Sequence, residues 1–126
     1  MSTISEKILD HYRNPRNAGE LEDANASGQV ENEACGDSMQ LFARIEDGKI
    51  VQASCKTFGC APAVAAGSVL TELLSEKALS EVDELSPAEI EKALGGLPPM
   101  KRHAAQLAAD VAGILVKNFE AKLTDA

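Results

Sequence analysis

A chain of 126 residues with 44% apolar side chains is long enough to form one domain over residues 1–126, burying roughly two thirds of its unfolded surface without cross-links. Its net charge of −8, with Lys101-Arg102-His103 as the sole basic cluster, argues against a nucleic-acid partner, whose phosphates such a surface repels. An odd count of three cysteines and an N-terminus without an apolar signal core lead us to expect a reducing, cytoplasmic setting; no apolar run approaches the roughly 20 residues that span a bilayer, so no membrane role is expected.

Thr3-Ile4-Ser5-Glu6 has the spacing of a capping box. Ile8, Leu9 and Tyr12 follow on one face of a short helix that ends before Asn14-Pro15, and His11 beside them reads as structural. Arg16 to Ser27 carries no sustained period and reads as a loop. From Gly28 the period becomes two. Met39, Leu41, Ala43 and Ile45 alternate with polar neighbours and Phe42, Asp47-Gly48 turns the chain, and Val51, Ala53 and Cys55 form the buried side of the returning strand. With Gln29-Val30-Glu31 these make a three-stranded sheet, antiparallel because its connections are short.

After Cys60 the period returns to that of a helix. Pro62 suits its first turn, and Val64, Val69, Leu70, Leu73 and Leu74 supply its apolar side. Ser86-Pro87-Ala88-Glu89 starts another helix, which Gly95-Gly96 ends. Pro98-Pro99 forces an extended run, so the periodic stretch from about Met100 to Leu123 is a separate last helix, with Leu107, Val111, Ile114, Leu115 and Phe119 inward. The expected class is α+β, a small three-stranded antiparallel sheet covered by helices.

Chemistry concentrates at three places. Cys35-Gly36-Asp37 lies at the mouth of the hairpin, where Gly36 permits a bend that aims a thiolate and a carboxylate at one point. Cys60 follows Gly59 at the expected N-cap of a helix, whose unpaired amide donors lower a thiol pKa. His103 sits in the first turn of the last helix, where the macrodipole disfavours the imidazolium and leaves a lone pair free. Two sulfurs, one nitrogen and one carboxylate suit tetrahedral zinc or the two irons of a small iron-sulfur cluster. Cys55, on the buried side of its strand, reads as an inert core thiol.

Four stretches, Asp10-His11-Tyr12-Arg13-Asn14-Pro15-Arg16-Asn17, Ala34-Cys35-Gly36-Asp37, Lys56-Thr57-Phe58-Gly59-Cys60 and Leu97-Pro98-Pro99-Met100-Lys101-Arg102-His103, occur in the order seen in the IscU/NifU-type iron-sulfur cluster assembly scaffolds, which the chain resembles over nearly its whole length. The resemblance implies a non-enzymatic scaffold that receives sulfur from a cysteine desulfurase, holds a transient [2Fe-2S] cluster and passes it to acceptor apoproteins. It implies that Cys35, Cys60 and His103 ligate the cluster or Zn2+, and that Asp37 sits at the site and promotes release. It also implies that Leu97–Lys101 is recognised by an Hsp70-type chaperone.

The family's pattern places a third cysteine, a ligand and sulfur acceptor, where this chain has Ala104. Cys35, Asp37, Cys60 and His103 still provide four ligands, and a second copy in a homodimer would be another way to complete a site with two thiolates. The other expectation to which Ala104 leads is a zinc-binding member that acts as a docking or regulatory partner of the desulfurase.

Overall fold

The computed structural model describes residues 5–32 and 36–124. Cys35, together with Thr3 and Ile4 of the expected capping box, lies outside them. The elements in chain order are α1 (Glu6–Arg13), β1 (Ala26–Asn32), β2 (Asp37–Glu46), β3 (Lys49–Phe58), α2 (Ala61–Leu74), α3 (Leu79–Val82), α4 (Pro87–Ala93), a 3-10 turn (Pro99–Lys101) and α5 (His103–Thr124). The sheet is antiparallel in the order β1-β2-β3, as its short connections require. Residues of period two, Met39, Leu41, Ala43 and Ile45, face the core beneath α2 and α5.

Local signals account for most boundaries. Ser5, not Thr3, is the N-cap of α1: its Oγ accepts from the Ile8 amide at 3.1 Å and donates to the Leu94 carbonyl, tying the start of α1 to the end of α4. Ser86 caps α4 with Pro87 behind it. At the other end Gly95 N donates to Lys92 O and Gly96 N to Glu91 O, a Schellman motif that positive φ at both glycines permits. Asp47 and Gly48 both take positive φ in the two-residue hairpin turn, matching the twist of β2 and β3.

Three expectations need correction. Val51 is exposed, because Ile45 pairs with Ile50 and Arg44 with Gln52, leaving Val51 as the extra residue of a β-bulge that resets the alternation. Tyr12 is exposed, and His11 takes the inward place beside Ile8 because α2 offers it partners. Its Nδ1 lies 2.7 Å from Ser68 Oγ and its Nε2 3.4 Å from Glu72 Oε1. The last helix begins at His103, after a 3-10 turn through Met100, and Ile114 and Phe119 on it are only half-buried. The short α3 carried no sequence signal strong enough to separate it from a turn.

Burial holds His11 below its usual pKa of 6.5, aided by the Arg16 guanidinium and opposed by Glu72 and Asp10. The unfolded chain therefore binds a proton that the folded chain refuses. Stability from this contact is complete above 6.5 and falls as pH drops through the depressed folded value. Urea titrations from pH 8 to 5 are expected to show that decline, and His11→Gln to flatten it.

Two close approaches fix the helices over the sheet. A Cβ on Gly28 of β1 would stand 2.9 Å from Leu115 N and 3.1 Å from Val111 O, so α5 lies directly on the strand backbone. A Cβ on Gly67 of α2 would stand 2.5 Å from Thr57 Oγ1 and 3.0 Å from Cys55 Sγ. The free edge of β3 is covered by the 17–19 segment, where Cys55 N donates to Asn17 O and Gly19 N to Cys55 O. Among the described residues no helix is long and apolar enough to cross a membrane.

Candidate functional site

The starts of β2, α2 and α5 meet at one end of the sheet, and each delivers one functional side chain. Gly36, at φ +73, turns the chain into β2, whose first residue is Asp37. Gly59 ends the run out of β3 and places Cys60 at the N-cap of α2, with Pro62 in the first turn. The Pro98-Pro99 segment and its 3-10 turn swing the chain round so that His103 opens α5.

Asp37 is the hub. It is 3% exposed, and its Oδ1 accepts the Cys60 amide at 3.3 Å while its Oδ2 lies 2.9 Å from His103 Nε2 and 3.6 Å from Cys60 Sγ. An ionised carboxylate only accepts, so with Asp37 charged the ring nitrogen and the thiol are its donors. One donor atom from each of Asp37, Cys60 and His103 lies within 4.8 Å of the others. Ligands of a tetrahedral zinc, each about 2.0–2.3 Å from the ion, stand about 3.3–3.8 Å apart, so small side-chain rotations bring these three onto one metal. Their types, one soft sulfur, one borderline nitrogen and one hard oxygen, fit zinc or iron. Cys35, the remaining sequence candidate, precedes Gly36 in the chain and lies outside the described residues.

The sequence reading of the Cys60 thiol is reversed in one respect. Cys60 does occupy the N-cap, but burial pushes its pKa up; the Ala63 amide and Lys101 oppose this, and the Asp37 carboxylate adds to it. Desolvation next to a like-signed carboxylate outweighs the helix terminus. The thiol therefore keeps its proton near neutral pH until something displaces it. Cys55 behaves as expected: it is buried, its Sγ contacts Thr57 Oγ1 at 3.4 Å, and burial pushes its pKa up to about 11. In a Cys35→Ala background, iodoacetamide is expected to label Cys60 in the native chain and Cys55 only on unfolding; peptide mapping checks this.

Ala104, the residue after His103, is fully buried, and its methyl group offers the site no donor. The signal that sequence reasoning lacked is Gly59. Its role shows only when the Asp37 side chain is seen lying against its α-carbon.

The chain is similar to known proteins in sequence and in fold. A model of the NifU-like N terminal domain matches residues 3–126. An Archaeoglobus fulgidus protein named iron-sulfur cluster assembly scaffold protein IscU 1 is 42% identical over 106 residues, 84% of this chain and 69% of its own. The protein named iron-sulfur cluster assembly scaffold protein IscU in Haemophilus influenzae is 41% identical over 122 residues, 94% of this chain and 96% of its own. Among solved structures, the N-terminal part of a nitrogen-fixing NifU-like protein from Brucella abortus superposes with a TM-score of 0.76 at 19% identity, covering 94% of each chain, a likeness of fold.

Proposed function

This chain belongs to the family of NifU-like N-terminal domains, and from that premise we propose that it is an iron-sulfur cluster assembly scaffold whose cargo is held at Asp37, Cys60 and His103. The observation that carries the proposal is the convergence of those three donors within 4.8 Å from elements far apart in sequence. Cys35, next to Gly36, is the fourth ligand in this reading, which makes a [2Fe-2S] cluster with two thiolates, one imidazole and one carboxylate, or a single zinc ion, complete within one chain. The protein turns over no substrate; it holds and releases.

In the free site Asp37 holds the other two donors by hydrogen bonds. To ligate, Cys60 gives its proton to solvent, and the His103 proton moves to Nδ1 so that Nε2 presents its lone pair. Asp37, freed as an acceptor, turns its charge to the incoming cation. Two weak donors in place of thiolates favour a labile cluster, which suits a carrier. With alanine at 104, sulfur from a cysteine desulfurase has to arrive at Cys60 or Cys35. Acceptor apoproteins and an Hsp70-type chaperone acting on Leu97–Lys101 are the other partners in this reading. Leu97 is buried, so the chaperone's segment has to leave the core before its leucine is available.

Anaerobic reconstitution with ferrous iron and sulfide tests the proposal. Equal amounts of retained iron and acid-labile sulfide, with sulfide-to-iron absorption in the visible, are expected. A chain that retains neither defeats it. Because the Cys60 and Cys35 thiols of this ligand set both give up a proton to bind, zinc affinity is also expected to rise about a hundredfold per pH unit between pH 6 and 8, two protons leaving for each ion bound. A competition titration against a chromophoric chelator reads the slope.

A further inference from the structure

Gly59, between the end of β3 and Cys60, touches Asp37 without contributing a side chain. Its φ is +154, and a Cβ built on it would stand 2.7 Å from Asp37 Cγ and 3.1 Å from Asp37 Cβ, with Oδ1 closer still. Contacts under 3.0 Å require something to shift, and here neither partner has room. Asp37 is buried and held by the Cys60 amide on one oxygen and by His103 on the other. On the opposite side, the backbone of residue 59 is tethered to the end of β3 and to the N-cap of α2.

We propose that Gly59 is a positioning residue of the site: its missing side chain is what allows the carboxylate of Asp37 to lie against the 59–60 backbone and share a point with Cys60 and His103. With any Cβ at residue 59, the carboxylate is driven off that point, and the described residues offer two converging donors instead of three. The inference rests on the ligand set proposed above. It adds that residue 59 decides whether Asp37 is a ligand at all.

The test uses the full chain with Gly59→Ala, Asp37→Ala and the double variant, with zinc affinity measured by chelator competition and the loaded site inspected by Co2+ absorption. Gly59→Ala is expected to weaken zinc about 10- to 100-fold, the range for losing a group that orients a ligand set, and to give the Co2+ spectrum of Asp37→Ala. The double variant is expected to bind no more weakly than Asp37→Ala and to melt above Gly59→Ala, because removing the carboxylate relieves the clash. In the zinc-free chain the His103 ring nitrogen shifts, read by NMR, are expected to move alike in both single variants.

Wild-type affinity in Gly59→Ala, or losses that multiply in the double variant, would overturn the proposal. Should Gly59→Ala fail to fold, the double variant decides. If it folds and binds like Asp37→Ala the proposal stands, and if it also fails to fold the glycine serves only its backbone angle. The underlying ligand set fails separately, when wild type and Cys60→Ala bind zinc equally.

Discussion

Cys60→Ala is expected to lose its iron and acid-labile sulfide altogether on reconstitution, and to lose more than about 100-fold in zinc affinity, beyond the usual effect of changes outside the ligand shell. Cys60 is the thiolate among the three converging donors, and sulfur is the strongest donor for either metal. What remains of the donors among the described residues, His103 and Asp37, is an imidazole and a carboxylate tied to each other at 2.9 Å. The zinc-free fold should hardly notice. The side chain is half-buried, α2 has no side-chain cap bond to lose, and the Asp37 carboxylate keeps the residue 60 amide and His103. A stability change within about 1 kcal/mol is expected, as for substitutions away from the core. Metal and sulfide analysis beside a urea melt separates the two effects; stoichiometric iron and sulfide in the variant would remove Cys60 from the site.

Gly28→Val is expected to damage the fold more than any of the site substitutions. Its side chain would enter the space now filled by Leu115 N and Val111 O, which are backbone atoms of α5 and have no rotamer to adopt. Relief requires lifting the helix off β1, and overpacking of this kind costs about 1–3 kcal/mol or more. The same helix begins with His103, so the displacement also reaches the site, and weaker zinc binding is expected to accompany the loss of stability. Gly113 lies on the same helix and would meet nothing within 4 Å. Gly113→Ala is therefore the control, expected to be neutral or to stabilise by up to about 1 kcal/mol through helix propensity. Equal urea midpoints for the two variants would contradict the close approach at Gly28.

The sequence by itself determined whatever depends on a few neighbouring residues. Ser86-Pro87 and Gly95-Gly96 marked both ends of α4, Asp47-Gly48 marked the hairpin, and the alternation of Met39 to Ile45 marked the buried face of β2, because caps, turn angles and side-chain period are local properties. The residue types of the site were legible for the same reason: Gly36 beside Asp37 and a cysteine at a helix start are patterns within a few positions. Only the tertiary structure decided the rest. The bulge at Val51 arises from the register between β2 and β3, and the inward place of His11 from Ser68 and Glu72 on α2, far from it in sequence. The raised Cys60 pKa, opposite to the local helix-terminus expectation, comes from desolvation and from Asp37, 23 residues away in sequence. His103 meets that same carboxylate across 66 residues. Burial and charge–charge contact are set by which distant elements pack together, and no local pattern carries that information.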